Sequence, residues 1–262
     1  MTAFVTAASS FTLNSVKVPV ELSRKLRRAD DYIRLAVIAA FHTMLDRRDC
    51  DSFNSERCGL VLGSAFSTMQ TNFEVLDDVV SGKQTSPTLF SHSVFNAAAG
   101  YIASTLDIKG GALTINDFSF PFFKALEQGY LDIMTGRIDN CLVLQVETYS
   151  DLLFDGRTRL VEDSTPWQPG VVCLLLEKEK KEAATALCLD TIEITRKACG
   201  PEAFLIGRQQ VMIGAEDRTL FDPLGAGILL SQLLGKKSCQ GKSFSVNSDW
   251  GKVQLQLSKQ TP

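Results

Sequence analysis

The feature that most constrains the fold is a series of short apolar segments separated by amphipathic ones. The segments RCGLVLG, ALTIN, DNCLVLQVET and VVCLLLEKEK occupy residues 57–63, 112–116, 139–148 and 171–180. Strands buried on both faces carry near-continuous apolar runs of this kind, whereas half-exposed strands alternate with polar residues. The series therefore predicts an α/β protein in which helices cover a buried sheet.

Helical periodicity lies between these strands. Residues 27–48, RRADDYIRLAVIAAFHTMLDRR, predict a long amphipathic helix, and residues 70–82 predict a helix that ends at Gly82. Small residues in 94–108 predict a closely packed helix, and 121–135 predict another. The polar, proline-containing segment 83–93 is interpreted as a loop.

The second half of the chain has fewer clear elements than the first. Residues 151–169 are polar, contain two prolines and predict a long excursion from the sheet. After it we predict the strand ALCLDTIEI, a helix near 221–235 and a closing hairpin of KSFSVNS and KVQLQLS.

Composition excludes several classes of function. The 262 residues carry a net charge of −3, which gives no electrostatic reason to expect nucleic acid or an anionic membrane as a partner. No apolar run reaches the roughly 20 residues of a membrane span, and the N-terminus lacks a secretory pattern. Seven dispersed cysteines fit reduced, mostly buried thiols, with Cys173 and Cys188 as small hydrophobes. We expect a cytoplasmic protein without a membrane span.

Several segments also match the motifs of one enzyme family. RRADDYIRLA is similar to R-R-M-D-R-F-x-x-L-A, and CGLVLGSAFSTMQTNFE is similar to I-G-V-I-x-G-T-G-x-G-G-x-x-x-x-E. SPTLFSHSVFNAAAGYIASTLDIKG is similar to S-P-x-x-x-P-x-x-x-x-N-x-A-A-G-x-I-A-x-x-L-G-x-x-G. These are motifs of the β-ketoacyl synthases of fatty acid and polyketide assembly, which the chain resembles well over 22–178 and loosely over 221–258.

The resemblance implies an α/β, thiolase-like αβαβα layered fold with a truncated C-terminal half. It implies a single domain over residues 1–262, with a thiolase-like half at 1–165 and a reduced half at 166–262. We expect the 27–48 helix at the outside of the layers, and the 92–106 and 121–135 helices to be buried.

The same alignment implies that the family's catalytic residues are lost. The nucleophilic cysteine of T-A-C-A-S-G falls on Ser119, and the second catalytic histidine falls on Asp222. The first histidine has no counterpart between residues 195 and 220, and NSDW at 247–250 replaces the glycine-rich loop. Acyl transfer in this family needs a thiolate and two imidazoles, so we expect no catalytic residue.

Other residues offer few groups that could take the place of the family's catalytic cysteine and histidines. His42 lies on the first predicted helix and His92 in the 83–93 loop, and neither forms part of a sequence motif with Ser119. The G-x-S-x-G elbow of hydrolases is absent. Glycine-bearing stretches are too short for a phosphate loop, and no cluster suggests a metal site, so no cofactor or metal is expected. The Asp pairs at 30–31 and 77–78 are interpreted as helix caps or solvated faces.

Aromatic residues surround the nucleophile position in FSFPFF. One interpretation is ordinary core packing, and the other is that these rings fill the space that an acyl chain would occupy. The four rings are Phe118, Phe120, Phe122 and Phe123.

The resemblance implies a chain-length-factor-like subunit that pairs with an active ketosynthase or with itself. The family pairs its nucleophile strand across a two-fold axis, which predicts these interface residues: Leu113, Thr114, Ile115, Asn116, Asp117, His92, Phe95 and Asn96. One alternative is a serine-dependent acyl thioesterase or hydrolase using Ser119. Another is a stand-alone acyl or acyl-carrier binding protein, for which the sequence shows no obvious basic patch.

Overall fold

The strands form a single ten-stranded mixed sheet. The computed structural model describes residues 2–45, 53–160, 166–179, 186–200, 203, 206–233 and 243–258. The strands are β1 Ala3–Thr12, β2 Cys58–Ser64, β3 Ala112–Asn116, β4 Asn140–Glu147, β5 Gly170–Glu177, β6 Leu187–Arg196, β7 Gln209–Ile213, β8 Glu216–Leu220, β9 Ser243–Ser248 and β10 Gly251–Ser258. Their order is β3-β2-β4-β5-β1-β6-β10-β9-β7-β8, with β2 parallel to β3 and β4 and all other neighbours antiparallel.

Helices cover both faces of the first half of this sheet. They are α1 Val20–Ser23, α2 Asp31–Met44, α3 Met69–Val80, α4 Pro87–His92, α5 Ala97–Leu106, α6 Pro121–Met134, α7 Asp151–Leu160 and α8 Gly225–Leu233. Helices α2 and α5 share one apolar cluster with β2, β4 and β5. A second cluster joins α6 and α8 to the opposite face of those strands and to β7, β9 and β10.

The two halves of the sheet and the helices therefore stack as four layers. They are α2 with α5, the half-sheet that contains β2, β4 and β5, then α6 with α8, and the second half-sheet, which contains β7, β9 and β10. The outer face of the second half-sheet is polar, and Gln254 and Gln256 of β10 alternate there with buried Val253 and Leu255. Within the described ranges no helix covers that face. The predicted reduction of the C-terminal half corresponds to this open outer face.

Helix α2 lies with α5 in the outer helical layer, as predicted, but it is more buried than its amphipathic pattern indicates. Eleven of its 14 residues are buried, because β1, β4, β5 and α5 all contact it. It begins where the Asp30 side chain accepts the Ile33 N–H at 2.9 Å, which confirms the predicted cap.

Two segments interpreted as irregular are helical. Residues 83–93 contain α4, which has Pro87 in its first turn and Ser86 as its N-cap. Residues 151–169 contain α7, in which the Phe154 ring packs at 5.8 Å from the Tyr149 ring. Tertiary contacts thus stabilise a helix that its polar sequence does not indicate.

Four cysteines confirm the expectation of reduced, buried thiols. Cys58, Cys141, Cys173 and Cys188 are free and buried, and Cys199 is free and exposed; positions 50 and 239 lie outside the described residues. No helix in the described chain is long and apolar enough to cross a membrane. The described residues also hold no group of three or more His, Cys, Asp or Glu suited to a metal ion.

Candidate functional site

The turn between β3 and α6 carries Ser119 and is closed by a carboxylate. Asp117 Oδ1 accepts hydrogen bonds from the backbone N–H of Ser119 at 2.7 Å and of Phe120 at 3.1 Å. Asp117 Oδ2 forms an ion pair with Arg196 on β6. The first N–H groups of a helix have no partner within the helix and readily bind an anion. Here the chain's own carboxylate binds the two N–H groups immediately before α6, which begins at Pro121.

No described hydrogen bond links Ser119 Oγ to a base. His92 is buried, with Nε2 at 3.0 Å from the hydroxyl of Tyr101. The His42 ring lies 5.2 Å from that of Phe11 and 5.9 Å from that of Phe41, on helix α2. Since proton transfer requires a base within hydrogen-bond reach, the geometry offers Ser119 no activation from either histidine.

The four phenylalanines around Ser119 fall into two groups. Phe120, Phe122 and Phe123 are buried, and the Phe120 ring packs 6.1 Å from that of Trp250. Phe118 is 47% exposed at the end of β3. Its ring lies 5.9 Å from that of Phe66, in the turn that follows β2.

Phe66 belongs to an aromatic cluster with Tyr149 and Trp167. The ring centroids lie 5.5 Å apart for Phe66 and Trp167, and 5.1 Å apart for Tyr149 and Trp167. The Arg157 guanidinium carbon of α7 stands 4.9 Å from the centroid of the Trp167 ring, a cation–π contact. The cluster lies beyond the C-terminal ends of β2 and β4, where ligands bind in open parallel sheets. Sequence reasoning missed it, because Arg157 and Trp167 fall in the segment interpreted as an excursion.

Asp222 has a structural role in this geometry. Its Oδ1 accepts the Leu224 N–H at 2.8 Å and its Oδ2 accepts the Gln168 N–H at 3.2 Å. The neighbouring Phe221 carbonyl accepts the Trp167 indole N–H at 2.5 Å. Burial raises the pKa of the Asp222 carboxyl group, although its hydrogen bonds act in the opposite direction. Asp222 therefore ties the start of α8 to the loop before β5.

Glu147, at the end of β4, is a fully buried carboxyl group that the sequence did not single out. Its Oε1 accepts the Ala65 N–H at 2.7 Å and the Gln145 side-chain N–H at 2.8 Å. Its Oε2 accepts the Ser64 hydroxyl at 3.1 Å and the Phe66 N–H at 3.2 Å. Burial raises the pKa of Glu147 from 4.5 to about 7, against the effect of these four donors.

This pKa predicts a pH-dependent stability. Between pH 4.5 and about 7 the folded chain binds a proton at Glu147 that the unfolded chain has released. The free energy of unfolding should therefore fall as pH rises across this window, by roughly 3 kcal/mol. Urea unfolding at a series of pH values measures it. In Glu147→Gln the part of the dependence that comes from Glu147 should be absent, and an unchanged dependence in that variant would contradict the assignment to Glu147.

Strand β3 forms an unpaired end of the sheet. It pairs with β2 on one side, where the Asp117 N–H donates to β2 and the Gly111 carbonyl accepts from it. Backbone groups of successive residues point to opposite sides of a strand. The N–H and C=O groups that point away from the sheet therefore belong to Ala112, Thr114 and Asn116.

The predicted interface residues do not all reach this edge. Leu113, Phe95 and Asn96 are exposed, and Thr114, Ile115 and Asp117 are partly buried. His92 is turned inward, so its side chain is not presented to the surface. Phe118 is exposed as well, and the structure adds two exposed apolar residues that the sequence did not identify: Phe90 and Val94.

A basic segment precedes α2, contrary to the expectation that no such patch exists. Its five exposed cations make no ion pair among the described residues, and Val20 beside them is 86% exposed. The cations are Lys17, Arg24, Lys25, Arg27 and Arg28. In the sequence, Arg27 and Arg28 belong to RRADDYIRLA, the segment that resembles the family's helix motif.

Comparison with protein families decides the assignment. The model of the β-ketoacyl synthase N-terminal domain matches residues 17–197, more than half of the chain. The chain belongs to this family. No curated protein matches it in sequence.

Solved structures of ketosynthases share the fold of this β-ketoacyl synthase family member. A ketosynthase in complex with its chain length factor from Xenorhabdus doucetiae matches with a TM-score of 0.59 and 19% identity, over 93% of this chain and 82% of that chain. The ishigamide ketosynthase/chain length factor matches with a TM-score of 0.75 and 14% identity, over 100% of both chains. A type II PKS acyl-carrier protein in complex with its ketosynthase matches with a TM-score of 0.58 and 17% identity, over 74% of this chain and 63% of that chain. These matches confirm the predicted thiolase-like fold class.

Proposed function

We propose that this chain is a catalytically inactive, chain-length-factor-like subunit that pairs with an active ketosynthase in fatty acid, polyketide or aryl polyene biosynthesis. The observation that carries the proposal is the Asp117 carboxylate on the N–H groups of Ser119 and Phe120. Two of the similar structures hold a ketosynthase together with a chain length factor, which supports the same role.

The carboxylate disfavours acyl transfer for an electrostatic reason. Attack on a thioester creates an oxyanion, and backbone N–H groups at the nucleophile commonly stabilise it. Losing one such donor costs about 10²–10³ in rate. At Ser119 the donor is already engaged, and a fixed negative charge would also repel the oxyanion. The absence of a paired base for Ser119 Oγ acts in the same direction.

Pairing with a ketosynthase is supported by the position of β3 at the edge of the sheet. The outward-facing backbone groups of β3 have no strand beside them, and a partner strand would satisfy them. Thr114 Oγ1 is buried and has no hydrogen-bond partner among the described residues. The exposed apolar side chains nearby would lose contact with water on pairing, which contributes about 25 cal/mol per Å².

Incubation with acyl and malonyl thioesters tests the inactivity. We expect mass spectrometry to find no acyl adduct on Ser119 and no carbon dioxide release above background. Ser119→Cys should form no condensation product, because Asp117 still occupies the donors and no base is present. An acyl group on Ser119 that disappears in Ser119→Ala would contradict inactivity and favour the hydrolase alternative.

We further propose that the basic segment at residues 17–28 binds acyl carrier protein. Its unpaired cations and the exposed side chain of Val20 would complement an acidic, partly apolar helix. This contact also fits the alternative of a stand-alone carrier-binding protein, which differs in needing no ketosynthase.

Charge reversal tests the basic segment. Arg27→Glu combined with Arg28→Glu should weaken binding of holo acyl carrier protein by about tenfold or more, with a reduced salt dependence. Arg218→Glu on β8 is the matched control, because Arg218 already pairs with Glu216. Calorimetry at two salt concentrations measures the effect. Equal weakening by the control would show that net charge and not this segment is responsible.

A further inference from the structure

The carboxyl group of Glu147 is connected to the proposed interface through two contacts. It binds the backbone of the turn at residues 64–67, and that turn carries Phe66, whose ring contacts Phe118. Phe118 is the exposed aromatic residue at the end of the edge strand.

The turn depends on its acceptor. Ser67 has a φ of +47°, a left-handed conformation that is unfavourable for a residue with a side chain. The Ser67 N–H donates to Ser64 Oγ at 2.7 Å, and the Ser64 hydroxyl in turn donates to Glu147. The carboxylate thus holds Ser64, Ala65 and Phe66 directly, and it holds Ser67 through the Ser64 hydroxyl.

We propose that Glu147 sets the position of Phe118 through the turn 64–67 and the ring of Phe66, and so controls how strongly the chain binds its partner. This rests on the proposed pairing function. It assigns a positioning role to a residue that contacts neither the partner nor Ser119.

The two protonation states of Glu147 have different hydrogen bonds. The ionised group accepts all four donors. A proton on Oε2 has only Ser64 Oγ as an acceptor, so the bond with Ser64 reverses its direction, and the protonated oxygen is a weaker acceptor for the Phe66 N–H. Because Oε2 makes the longer bonds, at 3.1 and 3.2 Å, we assign the proton to it. Protonation therefore weakens the hold on Phe66 while Ala65 stays bound, although burial makes the protonated form favourable for folding.

The two phenols that face Glu147 release their protons well above neutral pH. Tyr32 on α2 and Tyr149 after β4 face the carboxyl group, and burial raises the pKa of both phenols above the ordinary value. Asp30 lies beyond Tyr32, and Asp222 and Arg157 lie beyond Tyr149. The raised pKa of about 7 at Glu147 places its proton release near neutral pH.

Two measurements test the inference separately from the proposed function. Tryptophan emission of the chain alone should change near pH 7, because Trp167 packs on Phe66. Affinity for a candidate partner ketosynthase should fall about tenfold from about pH 8 to about pH 6. In Glu147→Gln both signals should be independent of pH, with the affinity of the wild type at low pH.

Two further variants keep the test decisive. Glu177→Gln removes a buried carboxyl group at the opposite end of β5 and should behave as the wild type. Phe66→Leu retains the Glu147 hydrogen bonds but removes the ring, so stability should still depend on pH while affinity should not. A pH-independent affinity in the wild type would overturn this inference and leave the proposed function standing. No binding at any pH would contradict the proposed function itself.

Discussion

Replacing Thr114 with proline is expected to weaken pairing with the ketosynthase by at least about 100-fold while leaving the chain folded. Proline removes a backbone N–H and places its ring where a partner's carbonyl would lie. The N–H of Thr114 points away from β2, so the chain's own ladder loses no bond. Sedimentation of the mixture measures the loss of complex, and circular dichroism checks the fold.

Thr114→Val is the matched control for this substitution. It removes the hydroxyl but keeps the outward N–H and a β-branched side chain, so most of the affinity should remain. Ile115→Pro should behave differently, because the N–H of Ile115 faces β2 and its loss destabilises the chain itself. Full affinity in Thr114→Pro would exclude β3 as the paired edge.

Replacing Trp167 with alanine is expected to lower the free energy of unfolding by about 3–5 kcal/mol. Trp167 is 2% exposed and contacts Phe66, Tyr149 and Arg157. Its indole N–H also binds the Phe221 carbonyl, so the substitution releases the loop before α8. Urea unfolding measures the change.

Trp167→Phe separates packing from the hydrogen bond. It keeps an aromatic ring against the cluster but leaves the Phe221 carbonyl without its donor, for a smaller loss of about 1–2 kcal/mol. A loss below 1 kcal/mol for Trp167→Ala would show that the aromatic cluster contributes little to stability.

The sequence predicted the elements that can be recognised from their own residues. Strands β2, β4 and β5 carry apolar runs that indicate a buried strand without knowledge of the elements that pack on them. The turn from β3 into α6 was predicted because Pro121 starts a helix with a strong apolar face. Helix α2 was placed correctly along the chain, but its depth depends on β1, which the sequence did not indicate.

The parts that could not be predicted depend on contacts between distant residues. Glu147 binds Ala65 across 82 positions, and Arg157 reaches the Trp167 ring only because α7 folds back on the sheet. Strand β8, EDRTL, is polar and exposed, and only its pairing with β7 makes it a strand. The hydrogen bonds of the Asp117 carboxylate could not be predicted either. They depend on the backbone conformation of the turn, which the identity of the residue does not reveal.

Light scattering of the purified chain, alone and mixed with a candidate partner ketosynthase, tests most directly whether it is a paired subunit. We predict a complex with the mass of one chain and one ketosynthase, and no such complex with Thr114→Pro. A wild-type chain that stays monomeric alone and in the mixture would contradict the pairing role.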